Sequence, residues 1–128
     1  MPAQLKFTQA ETPEQIEQAR NLFREYESWF GLNLCFQNFD EEVENLPGKY
    51  TKPDGRLLLA FADENLAGCI ALRKLEDEIC EMKRLFVRDG FRGLKIGNAL
   101  IEKLFEEART TGYKKCGSTL IRRKCRKP

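Results

Sequence analysis

The chain has 128 residues, 41% of them apolar, and a formal net charge of +2, which fits one globular domain with a modest core. It contains no histidine, and this excludes imidazole-based catalytic triads, histidine proton shuttles and histidine metal sites. No apolar run reaches the ~20 residues of a membrane span and no signal peptide is recognisable, so we expect a cytoplasmic protein without a membrane partner.

The N-terminal part predicts a strand followed by a long helix. Residues 4–8 alternate like an edge strand. Thr12, Pro13 and Gln15 then supply a capping threonine, a first-turn proline and a glutamine that can reach back, and Gly31 is a natural stop. The helix has a face that packs on a sheet, formed by apolar residues at helical spacing: Ile16, Ala19, Phe23, Tyr26 and Phe30.

A second, shorter helix is predicted after this. Asp40 is expected to cap it, and Val43 and Leu46 are its apolar positions. Pro47 and Gly48 are expected to end it.

The middle of the chain changes to strand patterns. Apolar residues alternate or run continuously in three segments, which are separated by short polar turns: Leu57–Ala62, Leu66–Leu75 and Ile79–Val87. Segments of this length with tight turns between them predict an antiparallel meander of three strands.

A last helix is predicted from near Leu94 to a stop at Gly112, after which Tyr113 enters another strand. Its apolar side consists of Ile96, Leu100, Ile101, Leu104, Phe105 and Ala108. The order strand, helix, helix, three strands, helix, strand predicts one α/β (α+β) domain, with helices flanking a mixed, mainly antiparallel sheet.

The five cysteines form no C-x-x-C pair, and an odd number would leave one thiol unpaired in an oxidising compartment. Reduced, partly buried thiols are therefore predicted. Cys80 and Cys116 are conceivable acyl-carrying nucleophiles, but no histidine is present to lower their pKa. Burial as small hydrophobic side chains is the favoured interpretation.

The segment 86–98 carries the strongest functional signal, because a strand passes through a basic, glycine-containing turn into an amphipathic helix. The first N–H groups of a helix have no partner inside it, and the helix dipole adds positive charge there. Gly93 and Gly97 allow a ligand to approach the backbone, while Arg92 and Lys95 can add cationic contacts. This pattern predicts a phosphate-binding turn.

The spacing of this turn fits neither the P-loop nor the three-glycine dinucleotide fingerprint. With the preceding strand 80–87 and the following helix, it resembles the central motif of the GCN5-related N-acetyltransferase (GNAT) family, which binds acetyl-CoA there. The family pattern is Arg or Gln, two residues, Gly, one residue, then Gly or Ala. Arg92 and Gly97 match it, and Lys95 stands where the middle glycine usually is. The resemblance runs from about Leu5 to Lys115.

The resemblance implies acetyl-CoA as co-substrate, no metal, and a small-molecule or peptide amine as acceptor. It implies that the backbone of three strand residues holds the pantetheine arm: Leu85, Phe86 and Val87. It implies that the turn and the start of the helix bind the phosphates: Arg92, Gly93, Leu94, Lys95, Ile96, Gly97 and Asn98.

Direct acyl transfer to an amine needs a base, and Glu81 is the best candidate. It lies eleven residues before Arg92, an offset similar to that of the strand glutamate that acts as base in the histone-acetylating members of the family. The alternative is a surface carboxylate paired with Lys83 or Arg73. The segment between the first two helices faces the acceptor in the resembled fold, so Trp29, Phe36 and Phe39 either line the acceptor pocket or simply pack.

The resemblance stops at residue 115, where relatives continue with further strands and a helix. Residues 114–128 contain seven Lys and Arg residues and no acid. The sequence therefore predicts an incomplete GNAT domain over 1–115 and a basic, disordered tail over 116–128, produced by truncation or by a shift of reading frame. An unfinished sheet has an unpaired edge, so homodimerisation or non-specific association is expected.

Two alternatives to an active enzyme follow from this C-terminal segment. One is an acetyl-CoA-binding remnant with impaired catalysis. The other is a nucleic-acid arm, which the lack of interleaved aromatic residues in the tail disfavours.

Overall fold

A computed structural model describes residues 4–30, 39–46, 48–91 and 95–118 of the chain. Its sheet has the order β1-β2-β3-β4-β5, in which the first four strands are antiparallel and β5 runs parallel to β4. The predicted mixed, mainly antiparallel sheet with flanking helices is confirmed. The strands are β1 Leu5–Gln9, β2 Arg56–Ala62, β3 Asn65–Glu76, β4 Ile79–Val87 and β5 Lys115–Ser118, and the helices are α1 Pro13–Phe30, α2 Phe39–Glu44 and α3 Ile96–Thr111.

The start of α1 is the capping box that the sequence predicted. The Gln15 N–H donates to Thr12 Oγ1 at 3.1 Å, and the Thr12 N–H donates to Gln15 Oε1 at 3.1 Å. Phe23 and Tyr26, two of its predicted apolar residues, are buried in the core between α1 and the sheet. Gly31 lies outside the described part of the chain.

The observed start and end of α2 both differ from the sequence prediction. It begins at Phe39, so Asp40 lies within its first turn and does not cap it, and it ends at Glu44, before Leu46. Arg20 of α1 fixes this end, because its Nε donates to the Val43 carbonyl at 3.0 Å. A side chain that binds the last carbonyls of a helix stabilises its termination there.

Two cores lie on opposite faces of the sheet. One face packs against α1 and α2 around Phe23, Leu59 and Phe86, and the other packs against α3 around Leu100 and Leu104. Strands β2 and β3 contribute to both cores, which explains their continuous apolar runs.

Strand β5 extends the sheet to Ser118, three residues past the domain boundary predicted at 115. Its parallel register pairs Ile79 with Lys115 and Met82 with Ser118, as a crossover through α3 requires. The tail from 119 onward lies outside the described residues, so its disorder stays a prediction. In the part of the chain that the structure describes, no helix combines the length and apolar character needed to cross a bilayer.

Candidate functional site

The first turn of α3 offers unpaired backbone donors. The first hydrogen bond of the helix runs from the Ala99 N–H to the Lys95 carbonyl at 3.1 Å. The N–H groups of Ile96, Gly97 and Asn98 therefore have no acceptor within the helix. Together with the helix dipole they create a positive end that suits an anion.

Lys95 occupies the middle-glycine position of the motif in a left-handed conformation, with φ 61° and ψ 26°. An L-residue is less stable than glycine in this conformation, so Lys95 adopts it at an energetic cost. The side chain of Lys95 is exposed at the start of α3. Arg92, Gly93 and Leu94 lie outside the described residues.

Gly97 has room for a small side chain among the described residues. A Cβ atom built on Gly97 would meet Val87 Cγ2 at 4.0 Å, which is an ordinary contact. An alanine would therefore fit there. The same distance shows that the end of β4 lies beside the first turn of α3.

Leu85, Phe86 and Val87 are held closely against β3. Phe86 pairs with Cys69 and Val87 with Gly68 in the register. A Cβ on Gly68 would clash with the Phe86 carbonyl oxygen, so only glycine fits this approach of two backbones. The Phe86 side chain is buried and its ring lies 6.2 Å from that of Tyr26, edge to face.

A β-bulge at Arg84 interrupts β4 just before this segment. Between the pairs Ala71–Lys83 and Cys69–Phe86, one residue of β3 lies opposite two residues of β4, and Arg84 has φ 61°. The bulge reverses which face alternate side chains occupy. Met82 packs on the α3 face before it, and Leu85 and Val87 return to that face after it.

The Arg84 side chain is buried and binds Glu42 of α2 through two hydrogen bonds of 2.7 Å, from Nε and from Nη2. The Tyr50 hydroxyl donates to the same carboxylate at 2.9 Å. Burial alone would raise the pKa of Glu42, but the contacts with Arg84 and Tyr50 lower it below its ordinary value. Burial and the Glu42 charge raise the pKa of Tyr50.

Sequence analysis missed this buried ion pair between Glu42 and Arg84. The available signal was the doublet Lys83-Arg84, which breaks the alternation of an otherwise period-two strand. Burial and the nearby Arg84 charge also lower the pKa of Lys83. The partner of Arg84 could not be inferred, because Glu42 is 42 positions away in the chain.

Glu81 lies on β4 on the same face as this ion pair. Its Oε1 accepts a hydrogen bond from Arg73 Nε at 2.8 Å, and its side chain is 12% exposed. Arg73 is one of the two partners that the sequence suggested for a non-catalytic Glu81. The other oxygen, Oε2, has no hydrogen-bond partner in the described ranges, and it is the atom that could accept a proton.

The three aromatic residues of the predicted acceptor pocket are not among the described side chains. Phe36 lies outside the described residues, as do the side chains of Trp29 and Phe39. A third ion pair lies on the same side of the sheet, where Arg88 binds Glu25 of α1 at 2.9 and 2.7 Å. It fastens α1 to the end of β4.

The described cysteines are buried or half-buried thiols, as the sequence predicted. Cys69 and Cys80 are buried and Cys116 is partly exposed. Burial raises the pKa of Cys69 to about 12, which keeps it protonated. Over residues 4–30, 39–46, 48–91 and 95–118, no group of three or more metal-ligating side chains occurs.

Comparisons with known proteins agree with this arrangement. A family model described as the acetyltransferase (GNAT) family matches residues 16–122. An uncharacterized N-acetyltransferase of Dictyostelium discoideum is 34% identical over 164 residues, covering 80% of this chain and 76% of the relative.

Solved structures show the same fold. An acetyltransferase of the GNAT family from Staphylococcus aureus has a TM-score of 0.68 at 23% identity, covering 84% of this chain and 68% of that one. An aminoglycoside 6'-N-acetyltransferase complexed with coenzyme A has a TM-score of 0.64 at 21% identity, covering 86% of this chain and 57% of that one. The fold expected from the resemblance is confirmed.

Proposed function

Because this chain belongs to the GNAT family of acetyltransferases, we propose that it is an acetyl-CoA-dependent N-acetyltransferase acting on the amine of a small molecule or a peptide. The observation that carries the proposal is that two segments of the family motif lie side by side. The end of β4 lies beside the first turn of α3, which begins at a left-handed Lys95 in the position of the motif glycine.

The start of α3 fits the pyrophosphate of acetyl-CoA. Its donors are the N–H groups of Ile96, Gly97 and Asn98, and the exposed Lys95 ammonium adds positive charge. The family motif assigns the rest of the phosphate contacts to Arg92, Gly93 and Leu94. A structural relative bound to coenzyme A supports the same class of co-substrate.

The backbone of Leu85, Phe86 and Val87 is proposed to hold the pantetheine arm by strand-like hydrogen bonds. The Phe86 side chain is buried against α1, and those of Leu85 and Val87 pack toward the α3 core. The backbone is therefore the part of this segment that can serve a ligand. Its path is set by the bulge at Arg84.

Acetyl-CoA supplies an acetyl group as a thioester: when the neutral amine attacks the carbonyl carbon, a C–N bond forms, the C–S bond breaks, and the CoA thiolate leaves and takes up the proton that the attacking nitrogen then loses. A protonated amine cannot attack, so a base must first remove a proton. We assign this step to Glu81, whose Oε2 receives the proton. Arg73 binds Oε1 at 2.8 Å and orients the carboxylate.

The test measures acetyl-CoA binding by calorimetry and, separately, the release of CoA thiol with a panel of amines. The proposal expects saturable binding and amine-dependent release. Binding without release by any amine would favour the binding remnant over the enzyme. A failure to bind acetyl-CoA would contradict both.

A further inference from the structure

Two cysteines face each other across the junction of β4 and β5. The parallel register pairs Cys80 with Cys116, and their Sγ atoms lie 3.3 Å apart. Cys80 is fully buried and Cys116 is partly exposed, so one thiol of the pair can be reached from solution. Both pack in the α3 core.

We propose that Cys80 and Cys116 form a reversible disulfide when the protein meets a small-molecule disulfide such as oxidised glutathione. Neighbouring strands lie ~4.8 Å apart, within the ~4.4–6.8 Å between Cα atoms that a disulfide spans. The sulfur atoms must move closer by little more than ~1 Å to reach bonding distance. The inference goes beyond the acetyltransferase function and does not depend on it.

The reaction is a double thiol–disulfide exchange. Cys116 loses its proton, and its thiolate attacks one sulfur of the small disulfide, which breaks that S–S bond and releases one small thiolate. Cys80 then loses its proton and attacks Cys116 Sγ, which releases the second. The two protein thiols are oxidised, the small disulfide is reduced to two thiols, and the two protons pass to the released thiolates.

The exposure of the two thiols sets the order of these steps. Cys116 is the accessible one and reacts first, while Cys80 is placed 3.3 Å away to complete the exchange. Burial raises the pKa of both thiols, so only a small fraction of each is thiolate at neutral pH and the exchange is slow. Slow formation fits a modification that accumulates under sustained oxidation.

The link would connect β5 covalently to the strand that carries Glu81. Glu81 pairs with Gly117, the next step of the same register. The closed loop includes the whole of α3, and a crosslink of this kind restricts the unfolded chain more than the folded one. The oxidised protein is therefore expected to melt at a higher temperature than the reduced protein.

The test uses the full chain with Cys35→Ser and Cys125→Ser, which leaves the three described thiols. After incubation with oxidised glutathione, we expect intact mass to fall by two hydrogen atoms and peptide mapping to find Cys80 linked to Cys116. Cys69 serves as the internal control and should stay reduced, since it is buried on the opposite face. Unmodified Cys80 and Cys116, or a glutathione adduct on Cys116 with Cys80 still reduced, would overturn the inference.

Two single variants sharpen this result. Cys80→Ser should leave a stable glutathione adduct on Cys116, because the resolving thiol is gone, and Cys116→Ser should leave Cys80 reduced. Rapid modification of Cys80 in Cys116→Ser would contradict the proposed order. A melting temperature of the linked protein that equals or falls below that of the reduced protein would show that the link does not fit the native sheet.

Discussion

The two faces of the sheet use different chemistry. On the face covered by α1 and α2, β4 takes part in two arginine–carboxylate pairs with distances of 2.7 to 2.8 Å: its Arg84 binds Glu42 of α2, and its Glu81 binds Arg73 of β3. On the opposite face, α3 packs through aliphatic residues, and the ion pair that joins this helix to β2, Arg56 with Glu107, lies near the C-terminal end of the helix.

This difference suggests a division of labour. Under the proposed function, the α3 face would provide backbone donors for the phosphates of the co-substrate, and the α1/α2 face would provide the charged groups that meet the amine. Variants on the α3 face near Gly97 should therefore change acetyl-CoA binding, whereas Glu81 variants should change turnover alone. Variants far from both places should change stability alone.

The largest effect is expected from Gly97→Glu, which should abolish acetyl-CoA binding. The variant places a bulky carboxylate among the N–H donors of the first turn, where it repels the phosphates. Gly97→Ala is the matched control and should bind normally, because its Cβ has ordinary space and the family pattern accepts alanine there. If calorimetry shows that folded Gly97→Glu binds acetyl-CoA with wild-type affinity, the phosphate-binding site lies elsewhere.

The second-largest effect is expected from Glu81, on the face of the sheet that α1 and α2 cover. Glu81→Gln keeps the shape of the side chain but cannot take a proton, so kcat should fall by roughly 10²–10⁴ with nearly unchanged acetyl-CoA affinity. Glu78→Gln is the control, since Glu78 precedes the same strand and is exposed. Steady-state release of CoA measures both, and equal rates for wild type and Glu81→Gln would make Glu81 a structural residue.

Glu42→Ala should lower the free energy of unfolding by about 3–5 kcal/mol, because it leaves the Arg84 guanidinium buried without its carboxylate. Tyr50→Phe keeps the pair and removes one hydrogen bond, so it should cost about 1 kcal/mol. Denaturant titration compares the two variants. If Glu42→Ala cost no more than Tyr50→Phe, the ion pair would not stabilise the bulge region.

On the apolar face, Leu104→Ala should cost about 2–5 kcal/mol through lost burial and the cavity that remains. Leu104 is two turns from the start of α3, so acetyl-CoA affinity at a temperature where the variant is folded should stay at the wild-type value. A large loss of affinity in the folded variant would show that the core and the phosphate site are not separate.

A smaller effect is expected from pH. The pKa of Glu42 is lowered in the folded protein, so its contribution to stability is complete above its ordinary value of 4.5 and is lost as the pH falls through the folded value. The stability difference between wild type and Glu42→Gln should therefore shrink on acidification below that value. A difference that stays constant or grows in acid would contradict this sign.

The elements that could be predicted from sequence are those set by local patterns. The bounds of β4 and the stop of α3 at Gly112 follow from apolar periodicity and from a glycine with φ 110°. The position of Lys95 at the motif glycine was also readable from the sequence, and Lys95 has the left-handed backbone conformation that glycine adopts most easily.

The features that could not be predicted depend on residues far apart in the chain. The bulge at Arg84 is defined by the register of β4 against β3, which the sequence of β4 alone does not show. The pairing of Glu42 with Arg84 joins α2 to β4, two elements that are far apart in the chain. The predicted start of α2 was wrong because Asp40 is a residue type that often caps helices, and the predicted end was wrong because the contact of Arg20 from α1 with the Val43 carbonyl is not visible in the local sequence. Where tertiary contacts determine the bounds of an element, local sequence propensity does not predict them.

The most direct test of the proposed function is an NMR titration of the labelled protein with acetyl-CoA. We predict that the largest saturable amide shifts occur at Ile96, Gly97 and Asn98, with a second group at Leu85, Phe86 and Val87. Amides of α2 and of β1 should hardly change. Shifts centred on another part of the sheet, with the α3 start unaffected, would contradict the location of the site and with it the central claim.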